Sequence, residues 1–171
     1  IGMAAKGLTQ TSSLIQISAA VTESAANTFT VEQIDLQLNP LDREVFVVLA
    51  INLDCSTPEL VPGITTQVRA GLTTTSQTAM PSLADANCLS RLSQVIRTTG
   101  GEAVSFVSGA LETPPATLEY IGIIATNDFF VQVQSEGMVG LGSATGKLYG
   151  YRATANADIF AALVQSEVLS A

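Results

Sequence analysis

Between Glu44 and Asp54 the chain reads EVFVVLAINLD, and this stretch limits the fold more than any other. Val45, Val47, Leu49, Ile51 and Leu53 form a period-2 row of aliphatic side chains, and the opposite row (Phe46, Val48, Ala50) is apolar too. Side chains alternate faces along a strand, so a segment apolar on both rows is a central strand, covered on both sides where it starts. Just upstream, TFTVEQIDLQL (Thr28–Leu38) carries two alternating sets, Phe29/Val31 and Ile34/Leu36/Leu38, one residue out of phase. One face holds both sets only if a residue is inserted, which predicts a β-bulge near Glu32–Gln33. Asn39-Pro40 then ends the ladder, because proline has no N–H to donate.

Further strands follow at turn-marked intervals. They are Ile64–Thr75, the segment EAVSFVSGALE after the hairpin-like Thr98-Thr99-Gly100-Gly101, Leu118–Thr126, Phe129–Gln134, and KLYGYRATA. Pro114-Pro115 closes the second of these, and the last sets Tyr149 and Tyr151 on one face. Helical signal is sparse. Ser82-x-x-Asp85 predicts a cap for a short helix carrying Ala86, Leu89, Leu92 and Ile96. In the tail, Ile159, Phe160, Leu163, Val164 and Val168 fit a helix face, whereas IFAALV alone reads as a buried closing strand. Continuity with the all-β run favours the strand. Residues 1–27, rich in Ala, Ser and Thr, read as an N-terminal arm with a short strand at LIQIS.

Seven or eight strands, few helices and no internal repeat predict an all-β protein: one antiparallel β-sandwich domain over residues 28–171, with at most one or two short helices. The Greek-key jelly roll is the favoured version, since it places eight strands in about this length.

Reactive chemistry finds little footing. GLGSATGKLYGYRA (Gly140–Ala153) looks at first like a phosphate-binding loop, but five residues separate Gly140 from Gly146, and Leu148 stands where the metal-binding hydroxyl belongs. The following residues read as strand, not as the helix whose N-terminus would face a phosphate, so a turn between strands is expected. The chain has no His, which removes the commonest general base. Lys6 and Lys147 stand in no Ser-x-x-Lys pattern, and the acids are scattered one per strand end. Asp42 with Glu44, and Asp54 with Glu59, are turn acids without calcium-loop spacing. Cys55 and Cys88 lack metal spacing and are expected as free buried thiols, or as a disulfide in an oxidising compartment. Tyr149 and Tyr151, with Tyr120 the only tyrosines in a chain without Trp, are the best residues for a sugar platform, though sheet packing accounts for them. No catalytic, cofactor-binding or metal-binding residue is predicted, and no enzyme.

Composition points elsewhere. Charged residues are 13% of the 171, against about 25% in ordinary soluble domains, while 47% are hydrophobic. Such a surface suits a subunit whose outer face packs against copies of itself. The net charge of −8, with seven basic residues placed singly, disfavours extended contact with nucleic acid. The longest apolar run, VFVVLAI, is too short to span a bilayer. No signal peptide is recognisable, and a chain that opens at Ile1 leaves its compartment open.

The succession TFTVEQIDLQL, EVFVVLAINLD, LEYIGIIATNDFFVQVQ and KLYGYRATANADIFAALV resembles the small single jelly-roll coat proteins of non-enveloped viruses. The resemblance covers most of Thr28–Val164 and implies a capsid building block, located in the virion, that assembles with copies of itself or other shell subunits and carries no catalytic residues or cofactor. Such coats often have a basic arm for the genome, yet residues 1–27 offer only Lys6 against Glu23, so nucleic-acid contact would be slight. The alternatives are a filament or surface-layer subunit at the cell surface, joined by strand donation, and a monomeric ligand-binding sandwich.

Overall fold

A computed structural model of the chain describes residues 7–109 and 119–169. Among these residues, ten strands form two five-stranded antiparallel sheets: β1 (Leu8–Gln10), β2 (Ile15–Thr22), β3 (Thr30–Asp35), β4 (Glu44–Cys55), β5 (Thr66–Thr73), β6 (Cys88–Thr99), β7 (Glu102–Gly109), β8 (Gly122–Ile124), β9 (Asp128–Glu136) and β10 (Ser143–Ala155). One α-helix, α1 (Ala157–Leu169), follows. In sheet A the order is β1-β10-β4-β8, with β2 also on β10; in sheet B it is β3-β9-β5-β6-β7.

The pairing follows a simple rule. β2 pairs with β10, β3 with β9, β4 with β8 and β5 with β6, like one long hairpin wound onto two layers. This is the jelly-roll winding. β7 is an added edge strand, joined to β6 by the two-residue turn Gly100-Gly101 at φ 59° and 83°. Two successive positive φ values are what a twist-matched hairpin turn requires, and glycine adopts them without strain.

The core lies between the sheets. Phe46, Val48 and Ile51 of β4 and Leu148 of β10 meet Val68, Ala70 and Leu72 of β5 and Phe129, Val131 and Val133 of β9. β4 is covered on both sides, as its double apolar pattern demands. Val45 and Val47 face outward, with Tyr151, Ala153, Ala155 and Leu8, into a second cluster roofed by Ile159, Phe160, Leu163 and Val164 of α1.

Several expectations need correction. β3 pairs with β9 without a break, so no bulge lies at Glu32–Gln33. The two out-of-phase sets take opposite faces: Ile34, Leu36 and Leu38 join the core while Val31 stands opposite Gln132. The irregularity lies in the row that read as perfect. The β10–β4 register shifts between Tyr149 and Gly150, leaving Leu49 unpaired. Val45, Val47 and Leu49 therefore face α1, whereas Ile51 and Leu53 turn to the core. Gly150 is essential to this, because a Cβ there would sit 2.0 Å from the Val47 carbonyl oxygen.

The tail is helix rather than strand. Asn156 caps it, with its Oδ1 accepting from the Ile159 N–H at 2.9 Å, and the exposed apolar end of sheet A needs a roof. Conversely, Ser82–Asp85 caps no helix. The Asp85 N–H donates to the Ser82 carbonyl (3.0 Å) and the Ser82 N–H to Asp85 Oδ2 (2.8 Å), closing a turn before β6. Ser90 and Gln94 interrupt the core row of β6, which made Leu89, Leu92 and Ile96 look helically spaced. Residues 8–10 and 15–22 of the expected arm are strands of sheet A on one edge of β10, and β2 contains most of the predicted LIQIS strand. Of Leu118–Thr126, only Gly122–Ile124 pairs as strand; Leu118, like Pro114-Pro115, lies outside the described residues.

Candidate assembly surfaces

The jelly-roll winding gathers the β2–β3, β4–β5 and β9–β10 connections at one end of the sandwich, and two carboxylates, one buried and one half-buried, tie them together. Glu23 is the centre. Its side chain is 2% exposed, and its Oε2 accepts from the N–H groups of Thr28 and Ser135, both at 2.9 Å. Oε1 accepts from the Ser135 hydroxyl (2.5 Å) and the Gly142 N–H (2.6 Å). Four donors on one carboxylate replace the water it has lost, which makes its burial tolerable without a cation.

Asn27, at φ 60°, extends the lock: its Nδ2 donates to the Met138 carbonyl and its Oδ1 accepts from the Met138 N–H, both at 2.9 Å. Glu59 joins the third loop by accepting from the Gly140 N–H at 2.5 Å. Thr98, near the tip of the β6–β7 hairpin, donates its hydroxyl to the Ile64 carbonyl at 2.8 Å.

What this framework holds outward is apolar. Val139 is 80% exposed, and Leu60, Ile64 and Leu141 are exposed around it. Glu59 and Gly140 are bonded, which draws the loop carrying Leu60 to the turn that carries Val139 and Leu141. A Cβ at Gly137 would lie 3.0 Å from Ile64 Cγ2, which places Ile64 against the same turn. A second exposed apolar group lies on β7, where Val104, Phe106 and Val107 are at least half exposed. The Arg97 guanidinium sits 6.0 Å from the Phe106 ring centroid.

The residues considered for chemistry are dispersed. Gly146 and Lys147 lie inside β10 with neighbours on both sides, β2 and β4, so their backbone is committed to the ladders and cradles no phosphate. The Gly-rich turn ends at Gly142, not at Gly146. Asp42 sits in a 3-10 turn, where Asn39 Nδ2 donates to it at 2.8 Å, while Glu44 pairs with Arg152 at 3.0 Å. Asp54 accepts from the Cys55 N–H at 2.9 Å, and Glu59 serves the loop lock. Among the described residues, no three His, Cys, Asp or Glu side chains converge as metal ligands would.

Cys55 and Cys88 are free thiols. Burial, and then the Asp54 charge, push Cys55 from the ordinary 9.0 up to about 11; burial also raises Cys88. Tyr149 and Tyr151 do share a face. Tyr149 is half-buried, its hydroxyl accepting from Asn52 Nδ2 at 3.3 Å. Tyr151 is buried under α1, which raises its pKa, with Glu119 adding to the shift. A pair with one ring buried offers no sugar platform.

A shallow groove of about 520 Å³ crosses sheet A beside Ser18–Ala20, Asn52–Asp54 and Thr145–Lys147, and a polar cavity of about 250 Å³ lies between α1 and β8. Cys88, Ser166 and Glu167 line the cavity, where the Cys88 thiol donates to the Ser90 carbonyl (3.5 Å) and Glu167 accepts from the Ala125 and Thr126 N–H groups. No helix among the described residues is long and apolar enough to cross a membrane. No family model matches this chain, and no curated protein does.

Proposed function

We propose that this protein is a structural subunit that assembles with copies of itself, a coat protein forming a shell through lateral contacts between sandwiches. One observation carries the reading: the exposed apolar side chains Leu60, Ile64, Val139 and Leu141 stand on loops already fixed by Glu23, Asn27 and Glu59. Loops ordered in advance lose little conformational freedom on association, so their apolar area counts toward binding rather than toward ordering. The low charge, 13% of residues, acts in the same direction, since neighbours approach without stripping water from ions. Contact with nucleic acid would be slight and the setting would be the virion.

Strand donation, as in a filament, is less well supported. The segment that would be donated is already occupied, because β1 and β2 pair with β10 of their own chain.

The test is the double variant Val139→Asp/Leu141→Asp, followed by multi-angle light scattering across a concentration series. Both side chains are exposed, so unfolding stability should stay within about 1 kcal/mol of wild type while assembly is lost. A variant that assembles as wild type does would remove the loop end from the contact.

A further inference from the structure

We propose that β7 pairs with β7 of a second copy, antiparallel, about a two-fold axis at Ser105, so that sheet B runs on from one subunit into the next. The inference rests on the assembly reading and specifies one of its contacts.

β7 ends the order of sheet B, and among the described residues nothing pairs with its outer edge. Residues 102–108 are all exposed, on both faces of the strand. Open edges are normally blunted by brevity, charge or proline. β8 has three residues, and β3 carries Glu32 and Asp35. β7 is eight residues long, reads EAVSFVSG, and has no proline and no charge beyond Glu102 at its start. β2, an edge of sheet A, is as long and as free of charge and proline, but half of its side chains are buried or half-buried against the core, whereas β7 is exposed on both faces.

The hairpin determines which groups are free. In a two-residue turn the closing pair, here Thr99 and Glu102, exchanges both hydrogen bonds, and bonded pairs then alternate. Glu102, Val104, Phe106 and Ser108 thus point their N–H and C=O groups at β6. Those of Ala103, Ser105 and Val107 point away. With the axis at Ser105, Ser105 meets its own copy and Ala103 meets Val107 on each side, which satisfies all three outward residues.

The side chains also match. Val104 falls opposite Phe106 twice, an aliphatic–aromatic pair in the closer, non-bonded register. Glu102 falls opposite Ser108, and the two Glu102 carboxylates stand about 20 Å apart, at roughly 3.3 Å per residue, beyond the screening length of ordinary salt. Such a contact buries on the order of 1,000 Å² in total, below the ~1,200–2,000 Å² of a stable complex. It is therefore weak alone and is reinforced when a second contact is made. A two-fold contact by itself closes as a dimer, so a shell needs the loop-end contact as well.

Cysteine trapping in a Cys88→Ser background reads the register. Ser105→Cys places two Cα atoms about 5.5 Å apart, within disulfide range, and should give a covalent dimer under mild oxidation. Val104→Cys lies two residues out of step with its copy, beyond that range, and should not. Ser105→Pro removes an outward N–H without touching the β6 ladder and should weaken self-association about tenfold or more.

Cross-linking of Ser105→Cys no better than that of Val104→Cys would overturn the pairing, as would a folded Ser105→Pro variant that associates like wild type. If wild type still assembles in those cases, the assembly reading survives. A wild type monomeric at every concentration, with no Ser105→Cys dimer, ends both.

Discussion

Glu23→Gln is the most revealing single substitution in the loop framework. Each Glu23 oxygen accepts two hydrogen bonds, and the side chain is buried. Glutamine replaces one oxygen by an amide NH₂, which removes the acceptor of two charge-assisted hydrogen bonds and sets donors against donors. Each lost bond to a charged group costs about 1.5–3 kcal/mol, so the two sum to about 3–6 kcal/mol, with local relaxation moving the result toward the lower figure. For a chain of this length, 3 kcal/mol corresponds to a melting temperature lower by roughly 6–12 °C. Ser135→Ala deletes a hydroxyl that donates to Glu23 and accepts from the Asn27 N–H at 3.1 Å, and should cost about 2–4 kcal/mol. Calorimetry together with urea unfolding measures both values. A Glu23→Gln protein within about 0.5 kcal/mol of wild type would refute the claim that this carboxylate holds the β2–β3 and β9–β10 turns together.

Gly150→Ala should cost at least about 3 kcal/mol in urea unfolding, because its Cβ meets the Val47 carbonyl oxygen at 2.0 Å and Phe46 Cε1 at 2.6 Å. Gly146→Ala, whose nearest contacts are at 3.4 Å, should cost less than about 1 kcal/mol, and equal losses would refute the bulge argument. Cys55, raised to about 11 when folded, stays protonated where the unfolded thiol ionises. The unfolded chain then binds fewer protons, so stability present below pH 9 is lost as pH rises toward 11, by about 2–3 kcal/mol. Cys55→Ala should lack that part of the alkaline decline, and identical slopes would contradict it. Glu167 accepts from the N–H groups of Ala125 (2.8 Å) and Thr126 (2.9 Å), so Glu167→Ala should cost about 2–4 kcal/mol and speed amide exchange at both; unchanged protection would contradict the clamp.

The sandwich was readable because its strands carry period-2 rows between turn residues. β5, the turn into β7 and β9 stand where Thr-rich alternation, Gly100-Gly101 and Phe129–Val133 place them. What could not be read were features that local pattern does not encode. The Leu49 bulge is set by Gly150, about a hundred residues away, and α1 forms because an apolar end of sheet A needs cover. Ser90 and Gln94 on the core row disguised β6 as helix.

The loop end was half legible. A turn between strands is expected within Gly140–Ala153, but Leu60, Val139 and Leu141 are single apolar residues without a period. Glu23 counted only as an acid set against Lys6. Its role depends on Gly142, which the pairing of β2 with β10 brings near, and on Ser135 of β9, which packs near β2 from the other sheet.

Electron microscopy of the concentrated wild-type protein tests the central claim most directly. Closed particles built from laterally packed sandwiches, absent from Val139→Asp/Leu141→Asp, are the predicted result. A field of isolated domains at every concentration, matched by a monomer mass in solution, would contradict it.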